Sequence, residues 1–104
     1  MQIALHTAAS GLRHADGRQR ATAHNTANLT TPESVVLRTI GSEHADGRGV
    51  EPHMEGRVER RRGASSAAVE YSVAQISTLH STGALANVVR TTDDMLGSLL
   101  DILG

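Results

Sequence analysis

The residues with the clearest chemical potential are six histidines, because imidazole is a common ligand for transition metals. A helical metal site needs a His-x-x-x-His or His-Glu-x-x-His pair, which places both rings on one helix face. The chain has no such pair, and its histidines are spread along its whole length: His6, His14, His24, His44, His53 and His80. We therefore predict that they are exposed polar residues and that the chain binds no metal.

Residues for nucleophilic or acid–base chemistry are also poorly placed. Ser10 precedes Gly11 but does not lie in the Gly-x-Ser-x-Gly elbow that exposes a nucleophilic serine. Asp93 and Asp94 are adjacent, and adjacent helical residues point about 100° apart, so they cannot share one site. Cysteine is absent, which excludes a thiol nucleophile or a disulfide. We predict that the chain is not an enzyme and has no cofactor and no small-molecule substrate.

A basic cluster in the middle of the chain consists of Arg57 and residues 60–62, with Glu55 and Glu59 between them. Nucleic-acid binding would need a wider basic surface and stacking aromatic side chains. The formal net charge is −1 and Tyr71 is the only aromatic residue. We predict no nucleic-acid partner, and interpret the cluster as a solvated loop or an electrostatic contact to an acidic neighbour.

The N-terminal segment carries a heptad stripe typical of a helix that packs along one face. Its members recur at spacings of three and four: Leu5, Ala8, Leu12, Ala15, Gln19, Thr22, Thr26 and Leu29. Gly11 and Gly17 each weaken a helix by roughly 1 kcal/mol relative to alanine, but small residues let a partner helix approach closely. Pro32 ends the helix.

A second, longer helix is predicted from residue 64 to the C-terminus. Its apolar stripe is nearly continuous: Val69, Val73, Ile76, Leu79, Ala86, Val89, Leu96, Leu99 and Leu103. Between the helices, residues 34–40 read as a short extended stretch, and the glycine-rich residues 41–63 as a loop or short hairpin.

These patterns predict an all-α fold, an antiparallel, coiled-coil-like pair of long N- and C-terminal helices with a short irregular or β-hairpin middle. The units are residues 1–33, 34–63 and 64–104. Phenylalanine and tryptophan are absent, so a folded monomer is expected to be marginal and to gain stability from partners. No stretch approaches the ~20 apolar residues of a membrane span, and the N-terminus lacks the features of a cleaved signal peptide.

Both ends of the chain carry motifs. The N-terminal motif is Ser10-Gly11-Leu12 followed by Asn25, Ala27, Asn28, Thr31 and Pro32 in an N-x-A-N-x-x-T-P arrangement. The C-terminal motif is Val88, Val89, Thr91, Asp93, Met95 and Leu96, leading into Leu99, Leu100 and Ile102. Together they resemble the terminal segments of bacterial flagellar basal-body rod and hook proteins, and the short middle favours a small proximal-rod type. Four positions depart from that pattern: Gln19, Thr26, Glu33 and Thr82.

The resemblance implies a structural subunit of the flagellar basal-body rod that self-assembles through its terminal helices into the axial drive shaft used for motility. It implies type III export without a cleaved signal, a periplasmic location, and as partners other copies of the chain and other rod, hook or export-gate proteins. The helix seam within and between subunits is assigned to Leu5, Leu12, Val73, Ile76, Val89, Leu96 and Leu99. The polar departures support an alternative, a diverged non-flagellar helical interaction module that forms soluble oligomers.

Overall fold

A computed structural model describes residues 2–31, 33–60 and 64–104. Pro32 of the N-terminal motif and part of the basic cluster, residues 61–62, lie outside the described residues. The elements follow in the order helix, strand, strand, helix: α1 (Gln2–Ala27), β1 (Glu33–Glu43), β2 (Val50–Arg60) and α2 (Ala64–Leu103).

The middle of the chain is an antiparallel hairpin of two strands with 11 residues each. In its register Leu37 lies opposite Gly56 and Glu43 lies opposite Val50. The turn at the tip has two glycines with positive φ, Gly47 at 72° and Gly49 at 125°, a backbone region that other residues rarely adopt.

The prediction of an all-α fold is therefore wrong, because the chain is α+β. The hairpin was underestimated because Pro52 and Gly56, residues that usually disfavour strands, occupy two of the apolar-face positions of β2. The remaining residues of that face, Val50, Met54 and Val58, alternate with charged and polar residues at the period of two that a strand requires. An isolated two-stranded hairpin is marginal, and here both strands contact α1.

The two helices pack against each other in antiparallel orientation. Gly11 of α1 lies against Leu85 of α2, and Arg18 Nη2 donates a 3.4 Å hydrogen bond to Ser77 Oγ. Since α1 contacts both α2 and the hairpin, it is the central element of the fold. Its buried apolar side chains are all alanines, Ala8, Ala15 and Ala21, so the described part of the chain buries little hydrocarbon.

The second helix is much longer than the first, with 40 residues against 26. At 1.5 Å per residue α2 is about 60 Å long, and the molecule measures 62 × 27 × 14 Å. Antiparallel packing with Gly11 beside Leu85 places the start of α1 near Asp94. Beyond that point α2 continues to Leu103 with no helix of the described chain beside it.

Candidate functional site

The N-terminal motif lies where α1 meets the hairpin. Asn25 is 5% exposed, and its side chain forms two hydrogen bonds with the backbone of one strand residue. Asn25 Nδ2 donates to Leu37 O at 2.8 Å, and Asn25 Oδ1 accepts from Leu37 N at 2.8 Å. The Asn25 side chain thus supplies the acceptor and the donor that a neighbouring strand would supply, and it holds β1 against α1.

Ser10 makes the matching connection at the other end of the hairpin. Its hydroxyl donates to Thr7 O at 2.7 Å and accepts from Val50 N at 3.0 Å. Ser10 is buried, and a side chain at Gly49 would collide with it. The serine therefore fixes the start of β2 to the first turns of α1, while His24 Nε2 makes a further 2.9 Å contact with Val35 O near the base.

Other N-terminal motif residues shape α1 itself. Gly11 permits the close approach of α2, because a Cβ there would lie 3.0 Å from the Leu85 methyl carbons. Asn28 Nδ2 donates to His24 O at 2.9 Å, a carbonyl near the end of the helix that also accepts from the Asn28 backbone N–H at 3.1 Å. Leu12 and Thr31 are half-buried, and Ala27 is exposed. The part of the motif that the structure describes is thus a framework for the fold.

The C-terminal motif is not brought together with the N-terminal one. It lies on the last third of α2, where Thr91, Asp93 and Met95 are exposed and Leu96 is 37% exposed. Thr92, which lies between motif positions, is the buried residue there, and its hydroxyl donates to Val88 O at 2.8 Å.

The residues assigned to the helix seam fall into two groups. Leu5, Leu12 and Val89 are half-buried. The others are exposed in the single chain. The exposed fraction is 60% for Val73, 67% for Ile76, 37% for Leu96 and 44% for Leu99. Their role between copies stays a prediction.

The structure buries a different set of α2 residues, which the sequence analysis missed. Thr78 is 2% exposed and Thr92 is 6% exposed, and Leu85 lies between them against Gly11. These three residues are spaced by seven, which is a heptad signal of a helix interface. The prediction missed it because it assigned the interface to large apolar side chains. Threonines suit this position because each hydroxyl is satisfied within the helix, Thr78 Oγ1 donating to Ala74 O at 2.8 Å.

A polar defect lies in the helix interface at Gln19. Its Oε1 is buried and accepts no hydrogen bond from the described residues. The adjoining cleft of about 320 Å³ is lined by Leu12, Ala15, Asp16, Gln19, Thr78, Leu79 and Thr82. A buried acceptor without a partner costs stability, so this interface is weaker than an apolar one would be.

The hairpin tip carries a small polar cluster around Asp46. Asp46 Oδ1 accepts from Arg48 N at 3.0 Å and lies 2.8 Å from His44 Nδ1. The Arg48 backbone hydrogen bond holds the pKa of the Asp46 carboxyl below its ordinary value, and the hydrogen bond and charge of His44 lower it further. Among the described residues no three His, Asp or Glu side chains form a group that could hold a metal ion.

Exposed apolar side chains are the most conspicuous surface feature. Those on α2 are Val69, Val73, Ile76, Leu79, Val88, Met95, Leu96, Leu99, Leu100, Ile102 and Leu103. Six of them lie beyond the start of α1, on residues 95–103, which we call the α2 overhang. One face of this segment forms an apolar groove of about 430 Å³ with Met95, Leu99 and Ile102 in its lining. Within the described ranges, no helix is long and apolar enough to cross a membrane.

Comparison with known proteins gives no relative. No protein-family model, no curated protein and no solved structure matches this chain.

Proposed function

We propose that the chain is a structural subunit of the bacterial flagellar basal-body rod that self-assembles through its terminal helices. The α2 overhang carries this proposal. Side chains of 37–84% exposure follow one another there from Met95 to Leu103. A continuous apolar surface of this kind is typical of a protein–protein contact.

The small buried core supports the same proposal. Ala8, Ala15 and Ala21 are the buried apolar residues of the described chain, whereas its leucine, isoleucine and valine side chains are half-buried or exposed at every described position. The apolar surface buried within one copy therefore provides only a small part of the stabilisation that the apolar residues of this sequence could give. Burying the exposed face of α2 between subunits would supply the rest, and a head-to-tail contact of this kind builds an open helical assembly.

The terminal motifs supply the link to the flagellar rod. The N-terminal motif residues hold the hairpin and α2 in place around α1, and those of the C-terminal motif lie on the exposed end of α2. One set would thus build the subunit and the other would join it to its neighbours. Type III export would deliver such a subunit to the periplasmic rod.

Replacing an overhang leucine tests this division of roles. Leu96→Asp is expected to leave the subunit folded, because Leu96 is partly exposed, and to abolish its incorporation into purified basal bodies. Gly97→Asp is the matched control, because it places the same charge on the neighbouring residue, where an added side chain meets open space and does not line the apolar groove. Normal incorporation of Leu96→Asp would contradict the proposal.

The alternative, a non-flagellar helical module that forms soluble oligomers, is favoured by one specific observation. Gln19 places an unsatisfied polar atom in the helix interface, at a position that leucine usually holds in the rod family. In that case Leu96→Asp would still disrupt self-association, but a strain lacking the protein would swim normally.

A further inference from the structure

The two outer edges of the hairpin differ in how they are covered. Leu37 N–H and C=O both bind the side chain of Asn25, so they point away from β2. The outer edge of β1 is therefore occupied by α1. In an antiparallel pair, residues directly opposite each other share the same orientation of their backbone groups. Gly56, which lies opposite Leu37, must then point its own N–H and C=O away from β1.

The same alternation identifies the other outward-facing residues of β2. Met54 and Val58 lie two positions either side of Gly56, so their N–H and C=O groups also face outward. Met54 is 47% exposed and Val58 is 71% exposed, and Gly56 is exposed as well. Beyond the ladder with β1, no hydrogen bond from another described residue reaches these three positions. The centre of β2 is thus an open strand edge, which readily pairs with another strand.

We infer that this open edge pairs with the same edge of a second copy of the chain, antiparallel and with the two Gly56 residues opposite each other. The interface is isologous, because each strand presents the same residues to its partner. In this register Gly56 faces Gly56, and Met54 faces Val58 in both directions. Each of these pairs exchanges both backbone hydrogen bonds, as an antiparallel ladder requires.

Charge complementarity selects the second copy as the occupant. The twofold axis of this dimer passes between the two Gly56 residues. On one side of it Glu55 of one copy lies opposite Arg57 of the other, and on the other side the reciprocal pair forms. His53 lies opposite Glu59 in the same way. Within the described chain, Glu55, Arg57 and Glu59 form no ion pair, so their charges are available to a partner. Opposite charges directly across a strand pair stabilise it, and like charges destabilise it.

Neighbouring registers are less favourable. Centring the pair on Glu55 or on Arg57 places identical charges opposite each other. Moving the centre to Met54 brings in Pro52, which has no N–H, and Val50, whose N–H already binds Ser10. Moving it to Val58 leaves Met54 without a partner, because β2 ends at Arg60. Of these registers, only the one centred on Gly56 pairs the three open residues with one another and places opposite charges across from each other.

This interface is separate from the α2 overhang. It lies on the hairpin, and in the described chain β2 makes its contacts with β1 and α1 and none with α2. A copy that pairs through β2 therefore leaves the overhang accessible for the assembly proposed above. The inference goes beyond the proposed function and does not depend on it.

Charge reversal on the full chain tests the interface. Sedimentation equilibrium is expected to show a monomer–dimer equilibrium for the wild type. Glu55→Arg and Arg57→Glu should each weaken dimerisation by roughly tenfold or more, because each places like charges across the axis twice. An equimolar mixture of the two variants should dimerise again, since Glu55→Arg and Arg57→Glu chains complement each other at both pairs. Both residues are exposed, so the variants should keep the wild-type circular dichroism spectrum.

Disulfide trapping tests the register, and the absence of native cysteine makes it clean. Met54→Cys mixed with Val58→Cys should form a mixed disulfide dimer. Either variant alone should form little, because its two cysteines lie four residues apart along the paired strands, about 13 Å.

Three results would overturn the inference: a wild type that stays monomeric, charge reversals without effect, or equal crosslinking in all three cysteine samples. Leu99→Asp separates it from the proposed function. Dimerisation lost in Leu99→Asp but kept in Glu55→Arg would place self-association on α2 and exclude the β2 interface. The opposite pattern would support β2 pairing and count against assembly through the overhang.

Discussion

Asn25→Ala should detach the hairpin from α1, because one side chain satisfies both backbone groups of Leu37. Removing it leaves an N–H and a C=O without partners, at about 1–3 kcal/mol for each group that stays dry. Leu37 is only half-buried, so water can reach part of the vacated space and the total should lie near the lower limit, about 2 kcal/mol. For a chain of this size that corresponds to a fall in Tm of about 8–16 °C.

Thermal and urea unfolding followed by circular dichroism measure this loss, and hydrogen exchange at the Leu37 amide localises it. Asn28→Ala is the matched control, because the Asn28 side chain makes a single hydrogen bond, to a carbonyl that the Asn28 backbone N–H also reaches, and its loss should cost less than about 1 kcal/mol. Asn25→Asp keeps the acceptor but loses the donor, so its defect should shrink as the carboxyl is protonated at low pH. An Asn25→Ala variant as stable as Asn28→Ala, with unchanged exchange at Leu37, would refute the reasoning.

Three further predictions concern the helix interface and the hairpin tip. Gln19→Leu should raise the free energy of unfolding by about 1 kcal/mol or more in urea titrations, because it removes a buried acceptor that has no partner among the described residues. Gly83→Ala should stabilise the folded chain by up to about 1 kcal/mol, since its Cβ meets open space. Gly11→Ile should destabilise it by about 1–3 kcal/mol, because the larger side chain pushes against Leu85. Equal effects of the two substitutions in thermal melts would exclude a close contact at Gly11. The pKa of Asp46 is lower in the folded turn than in the unfolded chain. The ionised carboxyl therefore stabilises the folded state above the ordinary aspartate pKa, and this stabilisation is lost as the pH falls through the lowered pKa. An NMR pH titration should show the Arg48 amide shifting in that acidic window, and no shift there in Asp46→Ala.

Apolar spacing was enough to predict both helices, although the first was expected to run to Pro32 and α1 ends at Ala27. Their interface was less accessible. The largest apolar residues of α2, including Val73 and Ile76, point to solvent, and Thr78 and Thr92 face inward. Glycine and alanine on α1 bring the backbones close, which leaves room for threonine rather than for larger side chains.

The all-α fold class was the main wrong prediction, because the hairpin, one of the two predicted states of the middle, forms two regular strands of 11 residues each. Pro52 and Gly56 interrupt the alternating pattern of β2, so local propensity alone favours a loop. Strand formation there depends on contacts that are distant in sequence, with Ser10 holding Val50 and Asn25 holding Leu37. Single polar residues on a helix give no advance signal of which strand backbone they will bind.

Swimming in soft agar tests the central claim most directly, with a strain that lacks the chain and is complemented by wild type, Leu96→Asp or Gly97→Asp. A rod subunit predicts that the deletion strain does not swim, and that wild type and Gly97→Asp restore swimming while Leu96→Asp does not. A deletion strain that swims as fast as its parent would contradict the assignment to the flagellar rod.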